Sequence, residues 1–187
     1  MPITINGSGT VTGLSVGGLP DGTVDSDTLA SSITTGKVIQ VVEARMTSNF
    51  STTATGDDQD VSGATLNITP ASSSNKILIS FNAYCAFLSG TNNNPSGMIG
   101  LYRGSTIIGA AQVGSYQADS ASKSTRHHVH LQIYDAPSTT SQVTYKIQAR
   151  TADTNTTMQI NILGDPTWDN VGFNGHSATL LAQEIAA

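Results

Sequence analysis

Almost nothing in this sequence can stand as a helix. Glutamate occurs only at Glu43 and Glu184, and Thr, Ser, Gly and Asn make up about two-fifths of the chain. Ser, Thr and Asn bond to nearby backbone and so compete with the helical ladder. What remains is a series of short alternating runs between polar loops, the pattern of an all-β protein. The longest run places Ile77, Ile79, Phe81, Ala83, Cys85 and Phe87 on one face.

Strands are expected over residues 38–44, 64–69, 76–88, 98–103, 106–112, 128–134, 142–150, 158–163 and 178–185. Gly104-Ser105 reads as a two-residue hairpin turn. About nine strands in roughly 150 residues is the density of an antiparallel β-sandwich or jelly roll. If successive strands reverse direction, the connections at 71–75, 104–105 and 136–141 are short and share one end. Those at 45–63, 89–96 and 113–126 are longer and, with 152–156, gather at the other end. Only 164–177 breaks the division. Long polar loops at one end are what a binding tip would show.

Residues 1–36 differ from the rest. Ile3, Ile5, Val11, Leu14, Val16 and Leu19 stand singly among Gly, Ser and Thr. Such a stretch cannot bury a core, yet a purely solvated linker has no use for the apolar residues. An extended segment ordered against other chains is expected, with one short helical turn near 24–30. Residues 37–187 form the folded domain.

The 187-residue chain has a net charge of −5, with 11% charged residues and only eight Lys and Arg. That gives no electrostatic footprint for nucleic acid. No apolar run approaches the ~20 residues of a membrane span. No basic stretch and apolar run follow Met1, so no secretion signal is expected and synthesis in a host cytoplasm is. The single cysteine, Cys85, cannot form an internal disulfide, and its place in the alternation marks it as buried.

Gly18-Leu19-Pro20-Asp21-Gly22-Thr23-Val24, Leu29-Ala30-Ser31 and the run from Gly36 to Val42 resemble the neck of bacteriophage tail-fibre and related virion proteins, notably those of marine and cyanobacterial phages. The stretches from Ile68 to Ile79, Leu101 to Gly109, Thr140 to Lys146 and Ser177 to Ile185 look like recurring blocks of the knob in such proteins. The resemblance implies a homotrimeric jelly roll of the tumour-necrosis-factor-like kind. A closed threefold assembly would also remove open sheet edges and multiply weak contacts.

His127-His128-Val129-His130 puts His128 and His130 on one strand face. Some phage fibre tips that the chain resembles gather such a pair around iron, so a metal site on the threefold axis is one reading and a solvated strand face the other. Asp57-Asp58-Gln59-Asp60 lacks the ligand spacing of a dedicated calcium loop and reads as a solvated acidic turn. No Gly-x-Ser-x-Gly, phosphate loop or His-Glu-x-x-His occurs, and the two glutamates disfavour a glycosidase pair. Trp168 and Phe173, in a turn-rich segment, could stack on sugar or cover a sandwich edge.

The expectation is a non-enzymatic virion protein without a cofactor, made in the host cytoplasm. It would be a short trimeric fibre whose residues 1–36 dock on other virion proteins. The knob would bind the host surface, a glycan being the natural target, through Phe50, Asn92, Asn93, Asn94 and Tyr116. The alternatives are a capsid decoration or head-fibre protein of the same fold, and, behind it, a carbohydrate-processing enzyme.

Overall fold

A computed structural model describes residues 4–5, 11–12, 37–89, 95–114, 123–161 and 178–187. The chain divides into two compact units, Met1–Thr35 and Gly36–Ala187. In the first, β1 (Thr4–Ile5) and β2 (Val11–Thr12) pair antiparallel, Thr4 opposite Thr12 and Ile5 opposite Val11. Ile3, Leu14, Val16, Leu19 and the turn expected near 24–30 lie outside the described residues.

The second unit contains β3 (Val38–Arg45), β4 (Phe50–Thr52), β5 (Gln59–Ile68), β6 (Lys76–Ser89), β7 (Ser96–Arg103), β8 (Thr106–Gly114), β9 (Lys123–Asp135), β10 (Val143–Thr151), β11 (Thr156–Ile160) and β12 (Thr179–Ile185). Every pairing is antiparallel. The order β5-β10-β7-β8 makes one sheet. In the other, β6 is paired along its full length with β9 on one edge. Its second edge is shared by β12, opposite residues 76–82, and β11, opposite residues 85–89. Strands β3 and β4 continue outward from β12 and β11.

The pairings are nested. The first two strands of this unit (β3 and β4) meet the last two (β12 and β11), β5 meets β10, β6 meets β9, and β7 meets its neighbour β8. A long hairpin rolled into two sheets gives this set, so the fold is an antiparallel jelly roll. The inward sets of both sheets interdigitate, with Phe81, Phe87, Ile79, Leu101, Tyr145 and Ile147 all fully buried. The alternation anticipated for β6, β9 and β10 holds, and Cys85 is buried.

Three strand limits differ from expectation. Residues 45–63 are not one loop: they hold β4 and the first half of β5. In β5 the pairing jumps from Thr65 to Asp60 while β10 advances only from Lys146 to Gln148. This bulge, with Gly63 at φ 81°, breaks the period of two and turns both Val61 and Ala64 inward. Strand β9 begins at Lys123 rather than at His128. Strand β11 runs Thr156–Ile160 and stops where Asn161 takes φ 60°.

Asn161 is fully buried and holds the point where β11 leaves and β12 enters. Its side-chain amide donates to Met46 O (3.3 Å) and Ser48 O (2.9 Å), and its Oδ1 accepts from Ala178 N (2.8 Å). Its backbone N–H donates to Tyr84 O at 2.9 Å.

Candidate functional site

Strand register sorts the sandwich into two ends. Val38, Lys76, Ile185, Ile68, Val143, Arg103 and Asp135 mark the near end, where Lys37 enters. Ser89, Lys123, Ser96, Gly114, Thr151 and Thr156 mark the far end. The strand ends fall into the two expected groups, but the expected contrast in loop length does not hold. Connections 53–58, 90–95, 115–122 and 152–155 at the far end have six, six, eight and four residues, against seven, two and seven at 69–75, 104–105 and 136–142. The reason is that β4, β5, β8 and β9 take up residues expected in loops.

The near end is tied by buried polar groups. Arg103 Nη1, on β7, reaches both Asp135 oxygens at 2.9 and 3.0 Å across to β9. Tyr145 Oη, on β10, donates to Asp135 Oδ2 at 2.6 Å. Burial, reinforced by that carboxylate, pushes the Tyr145 phenol well above its ordinary value. Glu184 is fully buried. Its Oε1 accepts from Ala71 N and Asn75 Nδ2, each at 2.7 Å. The Gln40 amide, in the orientation that satisfies both its ends, donates to Glu184 Oε2 at 3.2 Å and to Thr69 O. Asn75 Oδ1 then accepts from Ala187 N.

The outward face of the larger sheet carries an apolar stripe across its near half. Register places Val41, Gln183, Leu78 and Tyr134 in one row, with Leu181 in the next and Val38 and Ile185 in the row at the edge. Val38, Val41 and Tyr134 are 47, 55 and 60% exposed. Farther along, the same face turns polar, with Arg45, Thr179, Asn82 and His130 in one row and Tyr84 beside His128 in another.

His128 and His130 are both exposed on this face, as the alternation requires, and His130 Nδ1 lies 2.6 Å from Asn82 Oδ1. His127 turns the other way, its ring edge-on to Phe87 with centroids 6.0 Å apart. Among the described residues no group of three His, Cys, Asp or Glu is placed to hold a metal ion. The burial that surrounds Cys85 pushes its thiol up to about 12, which leaves it a poor nucleophile.

At the far end a groove of about 450 Å³ opens against the smaller sheet, lined by Thr55, Gly97, Met98, Gln112, Arg150, Thr151 and Ala152. Arg150, Met98 and Gln112 form one cross-strand row. Gly97 sets that row, since a Cβ there would stand 2.4 Å from Arg150 O. Arg150 Nε lies 3.4 Å from Asp58 Oδ1, and its Nη2 lies 3.8 Å from Met98 Sδ. Asp58 also accepts from the Tyr102 hydroxyl. Tyr102 lies flat over Gly100, 9% exposed on an outward-facing position. Burial, then the Asp58 bond, pushes its phenol up to about 12. Nearby, Asp60 is bonded by Lys146 Nζ (2.8 Å) and Gln148 Nε2 (2.6 Å), which hold its carboxyl below its ordinary value.

Phe50 is half-buried in β4, opposite Ile160, and packs against the core. Asn92, Asn93, Asn94, Tyr116, Trp168 and Phe173 lie outside the described residues. Sequence reading did not single out Arg150, Gln112 or Asp58 as a set, because 58, 98, 112 and 150 meet only through strand pairing. Among the described residues no helix is long and apolar enough to cross a membrane.

No protein-family model matches the chain, and no curated protein matches it. Solved structures similar to it include infectious bursal disease virus Gt strain, at 14% identity and TM-score 0.34 over 79% of this chain. The T13 particle of the same virus gives 13% identity and TM-score 0.35 over 81%. Its VP2 subviral particle gives 15% and 0.33 over 79%. The matches span 37, 36 and 37% of those chains. At these TM-scores they carry no argument, and the fold assignment rests on strand register.

Proposed function

We propose that this chain is a virion structural protein. It is a short homotrimeric fibre in which residues 1–36 dock on other virion proteins and the jelly-roll knob presents its far end to a host cell surface. It works by binding, without catalysis. The observation that carries the reading is the apolar stripe of Val38, Val41, Leu78, Leu181, Ile185 and Tyr134 on one outward sheet face. Val38, Val41 and Tyr134 are exposed and Leu78, Leu181 and Ile185 half-buried. Covering what remains in water gains roughly 25 cal/mol per Å², and further copies of the same chain offer a matching partner surface. The sequence resemblance to phage fibre knobs supports the trimer and the virion location. The far end lies away from Lys37, where residues 1–36 join the knob, and this supports it as the binding tip.

Sedimentation of the full chain tests the assembly: a stable trimer is expected, and Val41→Glu with Tyr134→Glu should leave monomers with an unchanged circular dichroism spectrum. A parent chain that sediments as a folded monomer would remove the proposal. Immunogold labelling of particles tests the location. Label at one vertex or on the tail fits a fibre, whereas label over the whole shell makes the chain a decoration protein. Release of sugar from host envelopes by the purified chain would overturn the non-catalytic reading.

A further inference from the structure

We infer that the far-end groove is a binding site for a neutral hexopyranose unit of a surface glycan. The inference rests on the far end being the host-facing tip and gives that tip a site and a ligand class.

The groove's volume, about 450 Å³, falls within the range of small-ligand sites. Its polar groups divide into spent and unspent. Thr151 Oγ1 is spent, donating toward Ala54 O and Asp153 O. Arg150 carries five N–H donors, of which one faces Asp58 and one faces the weak acceptor Met98 Sδ. The others have no partner among the described residues, nor do the Gln112 amide and the Thr55 hydroxyl. Arg150, the exposed Gln112 amide and the exposed Thr55 hydroxyl thus line one open groove, beside the apolar thioether of Met98.

Charge selects the ligand class. Arg150 is already paired with Asp58, and Asp57 and Asp60 lie in the same segment. The groove therefore has no surplus positive charge with which to hold a phosphate or a carboxylate. A neutral sugar asks for none. Its vicinal hydroxyls both donate and accept, which suits Gln112 and Thr55, while its C–H face suits Met98.

The test uses the full chain, ¹⁵N-labelled and titrated separately with methyl α-D-glucopyranoside, methyl α-D-galactopyranoside and methyl α-D-mannopyranoside. Sodium glucuronate and inorganic phosphate serve as anionic controls. At least one neutral glycoside should shift the Gln112 side-chain amide and Arg150 Nε signals saturably. Gln112→Ala should weaken that binding about tenfold, the effect of losing one or two hydrogen bonds. Thr55→Trp, at an exposed position, should fill the groove and abolish binding. No response to any neutral glycoside, a response to the anions alone, or parent-like binding by both variants would overturn the inference.

Host-cell binding separates this from the broader reading. If the parent and Thr55→Trp bind cells equally, the groove is not the contact and the inference falls while the host-facing tip stands. If the parent binds no cells yet saturates with a glycoside, the sugar site stands and the attachment role falls.

Discussion

The two ends of the sandwich are built from the same strands but secured differently. At the near end, buried and partly buried polar groups bond one another across elements: Asp135 to Arg103 and Tyr145, Glu184 to Ala71 and Asn75. At the far end the connections are of similar length, and the polar groups differ. There Arg150 and Asp58 meet at the edge of an open groove, and Gln112 and Thr55 face it without partners among the described residues. A buried polar group stabilises only when it is fully satisfied, and it then fixes one arrangement of the elements it joins. A binding surface needs the reverse, polar groups held in place but left unspent. The near end has its polar groups satisfied within the fold, and the far end, the contact surface on the proposed reading, leaves Gln112 and Thr55 unspent.

Four measurements break or sharpen that contrast. Glu184→Ala should cost the most, about 3 kcal/mol in denaturant unfolding, because it leaves the buried Asn75 amide without its acceptor and takes one from the part-buried Ala71 N–H. Asp135→Ala should cost about 2–3 kcal/mol by removing the acceptor of Tyr145 and the partner of Arg103, the latter being a third exposed. A loss no larger than that of a surface substitution at either site would show that the near end is not polar-locked.

The third measurement is a pH series. Tyr102 has its phenol raised from 10.0 to about 12 in the folded state, so its contribution is complete below pH 10. It is lost as pH rises from 10 toward 12, because the unfolded chain releases the proton first. Tyr145 is raised for the same reasons and adds to the same alkaline fall. Tyr102→Phe should flatten part of that slope while leaving stability at pH 7 lower by about 1 kcal/mol for the lost Asp58 bond. Stability that is level across pH 10–12 in the parent would contradict both burial assignments.

The smallest effect belongs to Asp60. Its carboxyl is held below the ordinary value by Lys146 and Gln148, so its stabilisation is present above pH 3.8 and fades as pH falls through the lowered value. The group is largely exposed, and Asp60→Asn should change unfolding at pH 7 by less than ~0.5 kcal/mol.

The alternation of Ile77 through Phe87, of Val129, Leu131 and Ile133, and of Val143 through Ala149 fixed which faces turn inward, because a strand's side-chain period is two whatever surrounds it. Scarcity of helix formers fixed the class, and the order of the expected strands sorted most connections between the two ends. The bulge at Val61–Ala64 stayed hidden because it interrupts that period, and β4 because three residues are too few to show one. The turn of Asn161, the buried Glu184, the Arg103–Asp135–Tyr145 tie and the groove at Arg150 came from tertiary structure alone. Each joins residues far apart in the chain, and strand pairing, which a local pattern does not encode, decides which of them meet.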